Sequence, residues 1–314
     1  MARQTVPRSA ETPDTTTVGT ALRLAMRAPS VHNSQPWRWR VLDSGDHRRV
    51  QLWADEARRP PHADPEGRDL VLSCGTALHH AVVAFAALGW RATVVRLPDP
   101  AHPALLAVLE ICRCRVEHVD VMLAAAIPRR RTDRRPYSDW PVAPGDLALM
   151  AARAARAGVT VRTTAAADHR AAPPGRLCAG ATPAQPGSDA AEGDHAVLLA
   201  LGTATDDPMA WIRAGEAASV VVLTATALGL AGCPMTEPLK LASTRDAVRA
   251  EVFDDDAHPQ MLLRIGWAPV NADPLPATPR RRPADTVEWV DDATPPPAVP
   301  TTAARSHPLA GSAR

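Results

Sequence analysis

Lysine is almost missing from this chain. Of 35 basic residues among 314, 34 are arginine and the other is Lys240. A GxxxxGK[ST] phosphate loop and a pyridoxal Schiff base each need a lysine. No such loop occurs and Lys240 is the single Schiff-base candidate, so both chemistries are nearly excluded. Asparagine is confined to Asn33 and Asn271, and tyrosine to Tyr137. An arginine-for-lysine bias of this kind fits a GC-rich genome. An excess of one charge is lacking too: the net charge is +1, which argues against a polyanion binder and against nucleic acid as partner.

Long apolar runs are also lacking. The most apolar stretch, residues 219–232, is interrupted by Thr224 and Thr226 and is too short to span a bilayer. The start, MARQTVPRSAETPDTTT, has no apolar core of the kind a signal peptide needs. The five cysteines include no CxxC pair. Cys112-x-Cys114 with His118 nearby is a poor metal set, because three ligands on a period-2 strand do not face one way. Buried free thiols in a reducing cytoplasm are expected, with no membrane partner and no metal.

What is abundant is proline, 32 residues. Ten fall in residues 269–314, and Pro173, Pro174, Pro183 and Pro186 sit in a Gly/Ala/Pro segment without periodicity. These predict a disordered tail over 291–314, a flexible loop over 168–194, and a disordered N-terminus over 1–16.

Self-similarity organises the rest. GTALHHAVVAFAALG at 75–89 and GEAASVVVLTATALG at 215–229 align at an offset of 140, matching Gly75, Ala77, Ala87, Leu88 and Gly89 to Gly215, Ala217, Ala227, Leu228 and Gly229. Both are apolar nearly all round and end in glycine, as two buried central helices would. Ala-His-Pro recurs at 101 and 257 before LLAVL and MLLRI, two strand-like runs. The second copy is longer by the length of a helix over 240–253. An α+β fold of two halves is expected, at 17–127 and 128–290. In the first, Trp37, Trp39 and Val41 alternate with Arg38 and Arg40 before a turn at 43–46 and Val50 and Leu52, predicting a hairpin. A nucleic-acid stacking surface is the costlier reading of that WRWR run. Fused similar halves copy the geometry of a homodimer, whose interface clefts are common ligand sites.

Three motifs carry polar chemistry. APSVHNSQPW at 28–37 sets Ser30, His32, Asn33 and Gln35 between two prolines, donors and acceptors suited to a heteroaromatic ring edge or to a plain polar loop. RRRTDRRPY at 129–137 holds five arginines in seven positions, either a solvated linker or a phosphate clamp, with Arg280–Arg282 as a second cluster. GCPMTEP at 232–238 reads as a turn that could aim backbone N–H groups at a ligand, or simply connect two elements.

In combination, APSVHNSQPWRW, LSCGTAL, RRRTDRRPY, LGTATDDPMAWIRAGEA, CPMTEPL and LLRIGWAP resemble the nitroreductase-like Acg family of actinobacteria over roughly residues 18–290. That resemblance implies a nitroreductase-like fold with two homologous lobes in one chain, mimicking the nitroreductase homodimer, and FMN at the lobe interface. It implies that Arg130, Thr132 and Arg134 hold the FMN phosphate together with the C-terminal Arg280 and Arg282. It places Ser30, His32, Asn33 and Gln35 against the flavin from the other lobe, and Pro234, Thr236 and Glu237 beside flavin N5. The first lobe has no arginine run and the second no PSxxN loop, so one composite site is expected in a monomeric pseudo-dimer. The family's helical lid would fall at 168–194, where this chain is proline-rich, so a reduced lid is expected. The implied function is an FMN-dependent oxidoreductase that takes hydride from NAD(P)H and passes it to a small nitroaromatic or quinone-like acceptor. The flavin carries the chemistry and no protein group is catalytic. The alternative is FMN storage or sequestration without turnover.

Overall fold

Asp14 caps the first helix, α1 (Thr15–Ala25), its carboxylate accepting the Thr17 amide at 2.6 Å. A computed structural model describes residues 12–43, 48–164 and 194–291. Thr15 and Thr16 already form the first turn, so the expectation of an unstructured stretch to residue 16 is corrected at its end by that cap. The expected loop at 168–194 and tail at 291–314 lie outside the described residues, apart from Asp194 and Asp291. Most of the turn at 43–46 lies outside them too.

The alternation of Trp37, Trp39 and Val41 builds β1 (Trp37–Asp43), which pairs antiparallel with β2 (Arg48–Ala54). Trp39 faces Leu52 and Val41 faces Val50, all four buried, as the period-2 pattern predicts. Helix α2 (Arg68–Ala87) follows, then β3 (Trp90–Arg96), β4 (Leu105–Arg113) and α3 (His118–Ala126). The second half repeats this: α4 (Pro144–Ala155), β5 (Thr160–Thr164), β6 (Val197–Thr203), α5 (Pro208–Ala227), β7 (Ala231–Met235), α6 (Ala242–Phe253) and β8 (His258–Gly266). Helix α6 occupies the extra length foreseen between the copies. The last strand, β9, covers Val287–Asp291.

Two sheets result, β3-β4-β2-β1-β9 and β5-β6-β8-β7. Strand β9 runs parallel to β1, Trp39 opposite Val287, so the chain end returns to the first sheet. A second lobe running unbroken to residue 290 is therefore corrected: the segment from about 280 packs on the first lobe. The sequence run 232–235, expected as a turn, is the edge strand β7. Pro234 is tolerated there because an edge strand need not donate on its outer side.

Helices α2 and α5 have equal length at the same offset of 140, and both lie at the centre, buried over most of their surface. Each stops before a left-handed glycine, Gly89 (φ 85°) and Gly229 (φ 88°). Helix α2 is long and apolar enough to cross a membrane, but it is core here. Of the cysteines, Cys74 and Cys233 are buried as expected. Cys112 and Cys114 are only half-buried, because they lie at the end of β4 and just past it beside the edge strand β3; Cys178 is outside the described residues.

Candidate functional site

Two successive turns of α2 set the first wall. Ser73 Oγ accepts the Val31 amide at 3.1 Å, and one turn on Thr76 Oγ1 donates to the Pro29 carbonyl at 2.6 Å. The loop is closed on itself by Ser30 Oγ, which accepts the Gln35 amide at 3.0 Å. Within it His32, Asn33 and Gln35 all have positive φ, at 52°, 53° and 48°. Three such non-glycine residues in four positions store backbone strain, which persists only where surrounding contacts fix it.

Those contacts come from the chain end. Asn33 Nδ2 donates to the Pro279 carbonyl at 3.2 Å and Asn33 Oδ1 accepts from Arg280 at 3.2 Å. Gln35 Oε1 accepts the Arg281 amide at 2.8 Å, and the Arg281 guanidinium bonds the Gln35 and Trp37 carbonyls and Asp55. Asn33 and Gln35, expected at a ring edge, instead fasten residues 279–281. Ser30 and His32 face the cavity.

The second wall is the segment after α3. It runs extended past β7, with Thr132 bridged to Gly232 and the Asp133 amide donating to the Gly232 carbonyl at 3.1 Å. An extended chain alternates its faces. Thr132 and Arg134 turn into the main cavity, and Arg130 into a recess beside it. Asp133 turns away and binds Arg135 through Nε at 3.0 Å and Nη2 at 2.7 Å, which neutralises one of the five arginines.

The main cavity, about 670 Å³ and open to solvent, lies between the lobes. Besides Ser30, His32, Thr132 and Arg134 it is lined by Pro234, Thr236 and Glu237, which brings together seven of the predicted residues. Glu237 is the hub of its mouth: Oε1 lies 3.0 Å from His32 Nε2 and 2.8 Å from Lys240 Nζ. Lys240 in turn pairs with Asp69 of α2 at 3.2 Å, so the chain's single lysine ties the two lobes.

The recess is lined by Arg27, Arg130, Arg131 and Arg280 with Ile127, Ala277 and Thr278, and no carboxylate is among them. Burial, then Arg280, Arg131 and Arg27, push the Arg130 guanidinium down to about 9. Burial, then Arg27 and Arg131, push Arg280 down to about 10. Four guanidinium groups facing one small space without an acid make a site for an anion. Arg282, expected here, is not: it is exposed and pairs with Asp285 at 3.0 Å, because the backbone turn beginning at Pro283 directs it outward.

Sequence reading missed Ser73, Thr76, Arg27 and Arg131. The signal for the first two was polar residues at i and i+3 within the otherwise apolar stretch 70–78. The repeat also shows what fills the equivalent position among the described residues. At the offset of 140, Thr76 and Thr236, which line the cavity, correspond to Glu216 and Arg96. Those two form a bidentate pair, at 2.7 and 2.9 Å, with Glu216 buried. An ion pair stands where the first site has two hydroxyls.

No family model matches the chain. It is 50% identical over 325 residues to "Putative NAD(P)H nitroreductase Rv3131" of Mycobacterium tuberculosis, covering 89% of this chain and 93% of that one. It is 34% identical over 326 residues to "Putative NAD(P)H nitroreductase acg" of the same organism, covering 87% and 95%. A nitroreductase structure from Anabaena variabilis superposes with a TM-score of 0.56 at 12% identity, over 82% of this chain and 90% of the other, which shows the nitroreductase fold. With these relatives matched along nearly their full length, the chain belongs to the Acg family of nitroreductase-like proteins.

Proposed function

We propose that this protein is an FMN-dependent oxidoreductase that draws on NAD(P)H and reduces a small nitroaromatic or quinone-like acceptor. The observation that carries the reading is the arginine recess opening beside a cavity between the lobes. FMN is long, with a phosphate at one end and a flat polar-edged ring at the other. The residues present fit both ends. Arg130 and Arg280 line the recess that would take the dianion, with Arg27 and Arg131 beside them. Ser30, Thr132, Arg134 and Thr236 place polar side chains along the cavity. The names of the relatives, NAD(P)H nitroreductases, support the same class.

When bound, FMN supplies two-electron hydride chemistry, so no side chain need act as nucleophile or general base. The protein's part is to hold and to polarise. The recess neutralises the phosphate, and Glu237, fixed by His32 and Lys240, sets the turn at the ring end. The strained loop at 32–35 is locked by residues 279–281, which preorganises the wall facing the ring.

The test is an absorption spectrum of purified protein before and after NADH or NADPH without oxygen. A yellow protein bleached by either supports the enzyme; a yellow protein bleached by neither assigns FMN storage instead; a colourless protein that takes up no added FMN overturns both.

A further inference from the structure

Along one face of α2 the residues Ser73, Thr76 and His80 follow the incoming chain in reverse. Ser73 holds Val31 and Thr76 holds Pro29. His80 stands one turn further along that face, and the carbonyls of residues 27–28, which precede Pro29, receive the recess arginines: Arg130 Nη2 donates to the Arg27 carbonyl at 3.4 Å, and Arg280 Nη2 to those of Arg27 and Ala28 at 3.0 and 3.2 Å. His80 is completely buried. A fully buried histidine beside an arginine cluster is costly unless it is neutral and its nitrogens are used.

The hydrogen bonds fix its tautomer. Nδ1 lies 2.9 Å from the Thr76 carbonyl, which can only accept, so Nδ1 carries the proton. The same nitrogen lies 2.8 Å from Ser219 Oγ of α5, and Ser219 can pass its own hydrogen to His79 Nδ1, also at 2.8 Å. Nε2 of His80 is therefore a bare acceptor, and it has no partner in the structure. Arg130 Nε is a buried donor that also has none. Burial, and after it the Arg130 cation, hold the imidazole well below its ordinary value. The two orphaned groups are complementary.

We propose that His80 is a positioning residue for the anion site: its Nε2 accepts from a water that in turn accepts from Arg130 Nε, and this bridge aims the two Nη groups of Arg130 into the recess. A neutral acceptor suits this place because it orients a cation without adding a negative charge that would compete with the incoming phosphate. A carboxylate would hold Arg130 more strongly and weaken the site. The inference rests on the flavin reading only for the identity of the anion.

Flavin-free protein titrated with FMN and with riboflavin, followed by flavin fluorescence, separates the phosphate from the ring. Gln places its Oε1 near the position of Nε2, whereas Asn reaches only Nδ1. His80→Asn is expected to weaken FMN about tenfold and riboflavin less than twofold, and His80→Gln to restore FMN. Equal losses for both flavins, or unchanged FMN in His80→Asn, overturn the proposal. Should wild type bind neither flavin, the flavin reading fails, and inorganic phosphate decides this one. Phosphate must raise the wild-type melting temperature and raise that of His80→Asn less; an equal rise overturns it. Where the variants do not fold, long-range proton–nitrogen NMR of the wild type at pH 7 must show protonated Nδ1 and bare Nε2 on His80; a protonated Nε2 overturns it.

Discussion

Gly75 and Gly215 meet backbone to backbone where α2 crosses α5. A Cβ on Gly75 would stand 2.3 Å from the Ile212 carbonyl oxygen and 3.0 Å from the Gly215 Cα. One on Gly215 would stand 2.1 Å from the Leu72 carbonyl oxygen. The two residues are equivalent in the repeat, so the contact marks the point where the two halves turn on one another. Helices this close bring Ser73 and Thr76 within reach of the second lobe's cavity wall.

Gly75→Ala or Gly215→Ala should destabilise by about 3 kcal/mol, the upper end for overpacking, because backbone cannot move aside as a side chain can. Thermal unfolding measures it. A drop of only a degree or two would mean that the helices separate easily.

Arg130→Ala combined with Arg280→Ala should weaken FMN roughly a hundredfold, since two charge-assisted contacts are lost and each tenfold is about 1.4 kcal/mol. Riboflavin, without the phosphate, should change little. A loss below tenfold for FMN would place the phosphate elsewhere.

The recess should also cost the empty protein stability. Arg130 titrates near 9 in the folded chain, below its ordinary value, so the unfolded chain holds this proton more tightly. The penalty is fully present below pH 9 and is relieved as pH rises from about 9 toward the unfolded value. Flavin-free Arg130→Met should therefore resist denaturant better than wild type at pH 7, with the difference shrinking at pH 10. Phosphate should stabilise wild type more than the variant.

The Arg96–Glu216 pair gives a pH test of the filled second position. Burial raises the Glu216 carboxyl, and Arg96 opposes that rise. In Arg96→Met the folded carboxyl should rise further, so stability is greatest at acid pH and falls as pH climbs through the folded value. Denaturant midpoints at pH 5 and pH 8 should show the larger loss at pH 8. Equal losses would mean that water reaches Glu216.

The sequence by itself determined the α+β class, the two halves and the central helices. Apolar period, terminal glycines and an internal offset are local signals that any packing must respect. It also determined which short motifs meet: seven of the twelve predicted residues line one cavity, and Arg130 and Arg280 share the recess beside it. Only the tertiary structure decided the task of each arginine. Arg280, Arg281 and Arg282 are identical in type, yet one enters the recess, one staples the loop, and one faces solvent, because β9 returns to β1 and fixes the direction of each side chain. The same holds for Asn33 and Gln35, whose amides were legible as polar but not as fasteners of a segment 246 residues away. His79 and His80 read as part of an apolar helix until α5 brought Ser219 against them. Direction and burial depend on distant partners, and these no local pattern encodes.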